Sequence, residues 1–410
     1  MITSNNGTQG RSLMHPGFGA VLREYRTTVG LTQEELADRS GLSVRAIRNL
    51  ELGRTERPQR QSITLLATAL RLTETDHAAL LAAAGRHQPQ PARCELPPDV
   101  PALVGRDPDA LIRVLTTPGP RLALVSGGPG VGRTALATHV AHRVRDRFPD
   151  GQVYADLDGI PAPEAVLGRL LRSLGATDPP AGRDERAALL RAHLAARRVL
   201  VVLDNVAGEA QVRPLLTTGS ASAVLATSRR ELVALPGAHA VRLGQLTAEQ
   251  AQQVLVRLVG DRVRTEPAAA TAVVDACARL PLALHIAGTW LATRPHRPVA
   301  DLAALLADAH LVLDRLAVAD LSMRASIASH VAELGPEERS LLHRLGHLPQ
   351  LRPADLGHRL ALTEPALRDV LDGLTQANLL TRTARGYRMN PLVRRYAQED
   401  VRLPGLRTAT

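Results

Sequence analysis

Residues 125–137, VSGGPGVGRTALA, have the spacing of a phosphate cradle. Gly127, Gly132 and Thr134 occupy positions of the G-x-x-x-x-G-K-[ST] pattern, with Arg133 where the pattern has lysine. Gly127, Gly128, Gly130 and Gly132 let successive backbone N–H groups converge on a phosphate. A helix starting near Arg133 adds unpaired N–H groups and the positive end of its dipole. The Thr134 hydroxyl suits a Mg²⁺ ion carried in with a nucleotide. Asp204 ends the apolar run 199–203, where a carboxylate can reach metal-bound water. A helix or turn cap is its plainer role. Asn205 beside it is a poor general base. Arg229 follows the apolar run 223–226 and can meet a terminal phosphate with two charge-assisted bonds, or simply form a surface ion pair.

Arg133 is not equivalent to lysine. Lysine is a compact charge on a flexible stem, whereas arginine is a broad planar fork. No lysine occurs anywhere in the chain, so the exchange has a compositional explanation too. Backbone N–H groups and the helix end still suit a diphosphate, but catalysis is sensitive to small displacements. The expectation is nucleotide binding with weak or absent hydrolysis, and no residue is assigned a catalytic role.

A second candidate chemistry lies near the N-terminus. Val44, Arg45, Arg48 and Asn49 fall on the outward side of a short helix whose Ile47 and Leu50 point inward. Arginine can donate two bonds to guanine, asparagine can pair with adenine, and valine can meet a thymine methyl. Arg54, Arg57 and Arg60 follow and suit phosphates, which position a protein without identifying bases. A helical protein-interaction domain with a charged face is the alternative.

These residues require positioning elements. Phe18, Val21, Leu22 and Tyr25 recur at helical spacing. Thr32 and Glu35 form a capping box, Gly41 suits a helix end, and Ser43 can cap the next helix. The turn SGLS between the two helices fits a helix-turn-helix. Residues 86–101 are rich in proline and read as a linker. From 103 to 250, the runs RLALV, GQVYADL, RVLVVLD and SAVLATSR alternate with helical stretches, which predicts a parallel α/β sheet. Residues 247–320 read as helical, and 321–400 as short helices followed by two strands around Gly386.

Bulk properties agree with several domains in 410 residues. Hydrophobic residues are 45%, charged residues 22% and aromatics only 2%, so Leu, Val and Ala must build the cores. The net charge of +10 permits an anionic partner without naming one. Cys94 and Cys277 are too few and too far apart for a disulfide framework or a zinc site. No secretory or membrane-spanning pattern is found, and a reducing, cytoplasmic setting without membrane partners is expected.

The stretch LTQEELADRSGLSVRAIRNLELGRTERP, within 18–84, closely resembles the phage-repressor-like (XRE-type) helix-turn-helix family. That resemblance implies binding of double-stranded operator DNA through the second helix, with Gln33, Ser43, Val44, Arg45, Arg48, Asn49, Arg54 and Arg57 as contact residues. Residues 102–400 resemble the NB-ARC family of the STAND class, on LVGRD, GGPGVGRT, VLVVLDN, ATSR and RLPLAL. This implies ADP or ATP, with Mg²⁺, held by Val104, Gly105, Arg106, Gly128, Pro129, Gly130, Val131, Gly132, Arg133, Thr134, Ala135, Arg229 and Pro281, the metal lying near Thr134 and Asp204. In that family ADP commonly holds a closed form and ATP exchange opens it for assembly. Three departures stand out: Arg133, Asn205, and YRMNP at 387–391 where the family often has M-H-D.

The whole is expected to be multidomain. An all-α helix-turn-helix domain spans 14–85 and, after the 86–101 linker, an α/β P-loop domain spans 102–246. A helical domain follows at 247–320 and a winged-helix domain at 321–400. The resemblance is to transcriptional regulators that fuse these units. It implies sequence-specific DNA binding under control of the nucleotide core, as a homodimer or nucleotide-dependent homo-oligomer. Two alternatives are a nucleotide-independent DNA-binding scaffold that recruits a regulatory protein partner, and an active STAND ATPase using its N-terminal helices for protein contacts.

Overall fold

The computed structural model describes residues 18–55, 58, 60–73, 76–77, 80, 94–100, 103–119, 121–160, 162–176, 178–216, 221–360 and 362–399. Arg57, residues 14–17 and 81–85 of the expected first domain, and 86–93 and 101 of the expected linker lie outside these. The chain divides after Gln90 into two compact units, and each is described by itself.

The N-terminal unit contains α1 (Phe18–Thr28), α2 (Gln33–Ser40), α3 (Val44–Glu51) and α4 (Arg60–Ala69). Leu22, Leu36, Ile47 and Leu66, one from each helix, are fully buried together. Complete burial of such a side chain contributes about 1.5–3 kcal/mol, so each is a substantial part of a small core. The capping box at Thr32 and Glu35 forms in both directions, at 3.1 and 2.8 Å. Gly41 ends α2 at φ 71°, a left-handed conformation that favours glycine. Ser43 then caps α3 by accepting from the Ala46 N–H at 3.2 Å.

The second unit is built on a five-stranded, all-parallel sheet. Its strands are β1 (Leu122–Gly127), β2 (Gln152–Asp156), β3 (Leu200–Val206), β4 (Ala223–Ser228) and β5 (His239–Leu243), in the order β2-β3-β4-β1-β5. Every residue of β1 and β4 is buried, as expected for strands covered on both faces. Two apolar cores line the two faces of the sheet. Strand β5 has no counterpart among the runs expected from sequence. It is an edge strand with three of its five residues exposed, so no continuous apolar run marks it. Within the expected linker, Cys94 and Glu95 run beside β2: Cys94 bridges to Gln152, and the Glu95 N–H donates to the Gln152 carbonyl at 2.9 Å.

Six helical segments lie between Ala248 and Arg315. After a short pair, β6 (Ala317–Val318) and β7 (Leu321–Ser322), come helices Met323–Ala332, Pro336–Gly346, Pro353–Leu360 and Glu364–Gln376. An antiparallel hairpin of β8 (Leu380–Thr383) and β9 (Gly386–Met389) precedes the final helix, Pro391–Gln398. The hairpin turns around Gly386, where the sequence places it. Among the described residues, no helix is long and apolar enough to cross a membrane.

Candidate functional site

The glycine-rich loop leaves the C-terminal end of β1 and runs into helix Arg133–Val144. Gly132 stands at the helix N-cap with φ 88° and no side-chain cap, so the first-turn N–H groups are not spent on a capping side chain. The loop docks on the next module: the Leu282 N–H donates to the Gly130 carbonyl at 3.1 Å, and a Cβ on Gly132 would lie 3.9 Å from Pro281. Pro281 opens helix Pro281–Ala292 at a position where its missing N–H costs nothing.

Thr134 and Asp204, expected to share a metal, lie side by side. The Thr134 hydroxyl lies 2.9 and 3.1 Å from the two Asp204 oxygens. Asp204 is buried and also accepts from the hydroxyls of Tyr154, at 3.1 Å, and Thr227. Burial, together with the Asp204 charge, pushes the Tyr154 hydroxyl pKa upward. The pairing of β3 with β4 shifts register between Leu203 and Val206, spanning Asp204 and Asn205. Such irregularities commonly re-aim side chains beside functional sites. Asn205 sits at φ 57° and donates to Asp156 at 3.0 Å. Sequence reasoning identified Asp204 but not Tyr154, whose role depends on β2 lying next to β3.

Arg133 is turned back on its own loop. Its Nη1 group donates to the carbonyls of Gly127 and, at 2.9 Å, Gly128, and lies 3.0 Å from His330 Nε2. The Arg133 Nε atom is buried without a partner among the described residues. Burial first, and then the nearby Arg229 charge, lower its pKa to about 10, so it remains a cation at neutral pH. His330 is buried, and burial followed by the Arg133 charge pushes its pKa down to about 3. A neutral ring donating from Nδ1 to the Ser326 carbonyl, 2.9 Å away, leaves Nε2 as the acceptor for Arg133.

Because His330 takes up a proton more readily unfolded than folded, stability falls as pH drops from about 6.5 towards the folded value. The expected slope is about 1.4 kcal/mol per pH unit from this residue alone. Denaturant midpoints between pH 6.5 and 5 check this, and His330→Gln should flatten the profile. An unchanged profile in the variant would remove His330 from the account.

Arg229 is also buried, and it is ion-paired rather than a surface cation. It meets Asp158 at 3.0 Å and Glu333 at 2.5 Å. Burial would lower its pKa, but the bonds to these carboxylates outweigh that and raise it. Arg106 donates to the carbonyls of Val131, at 2.9 Å, and Gly244, at 2.7 Å, bracing the loop from behind. Val104 is buried, and Gly105 lies against the Gln250 side chain. A cavity of about 600 Å³ opens beside Gly128, Pro129 and Val131, reaching Arg388 and Asn390 of the C-terminal module. Thr134 and Asp204 are not among its lining residues. The Asn390 side chain is engaged in capping, accepting from the Leu392 N–H at 2.8 Å.

The donor set fits a nucleotide diphosphate with a metal: an uncapped helix N-terminus, left-handed glycines, and a hydroxyl–carboxylate pair. Among the described residues, no group of three or more His, Cys, Asp and Glu side chains could hold a metal ion.

In the N-terminal unit, Val44, Arg45, Arg48 and Arg54 are exposed, and Asn49 is half-buried. Ser43 is exposed and its oxygen is used in the cap. Gln33 donates to Glu51 at 2.7 Å, and Arg26 meets the same carboxylate at 2.5 and 3.1 Å. Burial would raise the Glu51 pKa, but hydrogen bonds from Arg26 and Gln33 outweigh it and hold the pKa below the usual range. Arg26 escaped sequence reasoning because nothing local marks it as the partner of a residue 25 positions away.

A model described as a helix-turn-helix domain matches residues 18–80, and one described as an NB-ARC domain matches residues 106–263. The regulatory protein AfsR of Streptomyces griseus is 42% identical over 319 residues, covering 74% of this chain and 33% of its own length. AfsR of Streptomyces coelicolor is 43% identical over 287 residues, covering 68% of this chain and 29% of its own. The chain therefore spans about one third of the length of these curated relatives. The solved structure of a Walker-type ATPase of Pyrococcus abyssi shares the fold, with a TM-score of 0.50 at 14% identity, covering 72% of this chain and 96% of that one. The chain joins a helix-turn-helix domain to an NB-ARC domain and is homologous to the AfsR regulatory proteins.

Proposed function

We propose that this chain is a sequence-specific DNA-binding transcription regulator whose NB-ARC core controls conformation or assembly through a bound nucleotide. In this reading residues 14–85 form an XRE-type reader of operator DNA. Val44, Arg45, Arg48 and Asn49 face base edges, while Gln33, Ser43, Arg54 and Arg57 hold the backbone. Residues 102–246 and 247–320 enclose ADP or ATP with Mg²⁺, and 321–400 act as a winged-helix module that closes on the loop. Dimerisation places two readers about one helical turn apart on DNA. Hydrolysis is weak, because Arg133 is committed to loop carbonyls and Asn205 is a poor base.

The observation that carries this reading is the Thr134–Asp204 pair under an uncapped helix, in a chain that also presents the exposed face of α3. Genomic fragments selected by the purified chain should identify the DNA site. Affinity for that site, measured without nucleotide, with ADP and with ATP plus Mg²⁺, should then differ by about fivefold or more. Equal affinities and equal oligomeric states would reject the switch. Arg45→Ala or Asn49→Ala should each weaken specific binding by about tenfold or more, at one base position. Arg54→Ala should weaken all sequences alike and reduce the salt slope by about one. An Arg45→Ala chain with unaltered base preference would move the reading face elsewhere.

A further inference from the structure

Two cations of the site, Arg133 at the end of the phosphate loop and Arg229 after β4, are both held by one short C-terminal segment. Arg133 lies against His330, and Arg229 against Glu333, three residues further on. The side chain of Arg229 is only 10% exposed, so a third anionic partner has little room beside Asp158 and Glu333. Other elements of the same C-terminal module fasten to residues 229–231 as well. Asn378 donates to the Arg229 carbonyl at 2.9 Å, the Glu231 N–H donates to the Gln376 carbonyl at 2.9 Å, and Arg230 lies 3.6 Å from Glu338.

We propose that Glu333 is a specificity-determining residue that occupies, on Arg229, the position a terminal phosphate would take, so that the closed chain selects a nucleoside diphosphate over a triphosphate. This rests on the nucleotide reading above and adds to it the residue that discriminates between the two ligands. A carboxylate and a phosphate oxygen make the same charge-assisted bond to a guanidinium, so they compete for it. A diphosphate reaches the backbone N–H groups and leaves the Arg229–Glu333 pair intact. A triphosphate adds an anion beside Asp158 and Glu333, whose charges oppose it until Glu333 withdraws. His330 makes the competition steeper. It is a neutral acceptor that keeps Arg133 on the loop carbonyls, so Arg133 is not free to neutralise the extra phosphate in place of Arg229. The Glu333 carboxylate belongs to the module that must move, whereas Asp158 follows β2 in the core. Discrimination and module release are therefore the same event.

Calorimetry on the full chain with ADP and with a non-hydrolysable ATP analogue, each with Mg²⁺, tests this. Glu333→Gln keeps the size and removes the charge. It should raise affinity for the triphosphate analogue relative to ADP by about tenfold, the worth of one charged hydrogen bond. A second measurement uses the unsubstituted chain. Amide exchange over 323–334 should be faster with the triphosphate analogue than with ADP. An unchanged affinity ratio in Glu333→Gln, with both nucleotides bound, overturns the inference and leaves the nucleotide reading standing. So does equal exchange with the two ligands. If neither nucleotide binds the unsubstituted chain, the nucleotide reading falls and this inference falls with it.

Discussion

Arg26→Met is expected to unfold the N-terminal unit, because it strands a buried carboxylate. The Arg26 and Glu51 side chains are 12% and 4% exposed and only 2.5 Å apart. Removing one partner of a buried pair costs about 3–5 kcal/mol, since the other charge is left without compensation. A domain of this size has a total stability of about 3–9 kcal/mol, so the loss is comparable with the whole. Gln33 would remain as the only donor to Glu51 among the bonds described, and a neutral amide does not replace a guanidinium. The network also joins the end of α1, the start of α2 and the end of α3, so its loss removes the constraint on α3. Amide exchange of the full chain should show protection lost over 18–52 and kept over the parallel sheet. The double variant Arg26→Met, Glu51→Leu should recover much of the protection, because a well-packed apolar pair avoids the stranded charge. Full protection in Arg26→Met alone would contradict the argument.

Asp204→Asn is expected to abolish the Mg²⁺-dependent part of nucleotide affinity, at about 10–100-fold. The substitution keeps the size of the side chain and removes its charge. The Thr134, Tyr154 and Thr227 hydroxyls retain one carbonyl oxygen to share. Thr227→Val supplies the contrast, since it removes a donor to Asp204 without touching the charge, and it should leave Mg²⁺ dependence in place. Titrations with and without Mg²⁺ separate the two effects. A Mg²⁺ dependence that survives Asp204→Asn would place the metal elsewhere. Asp204→Ala is the less informative change. It leaves the buried Thr227 hydroxyl without its carboxylate acceptor, at about 1–3 kcal/mol, and so confounds binding with folding.

The chain's own residue order determined the elements and their chemistry. The T-x-x-E box, Gly41 and Ser43 specify where α2 and α3 begin and end, because capping acts within a few residues. Continuous apolar runs specify β1 to β4, and the glycines with Thr134 specify a phosphate loop, because backbone freedom and helix-end donors are local properties. Strand β5 was not legible, since an exposed edge strand needs no apolar run. Tertiary structure alone decided which groups meet. Thr134 and Asp204 are 70 residues apart in sequence, and His330 reaches Arg133 across 197. Arg133 illustrates the division. Its type, read in sequence, implies a fork that fits poorly where lysine belongs. Only the folded chain shows the fork turned onto Gly127, Gly128 and His330, because those partners depend on how a distant helix packs rather than on any neighbouring residue.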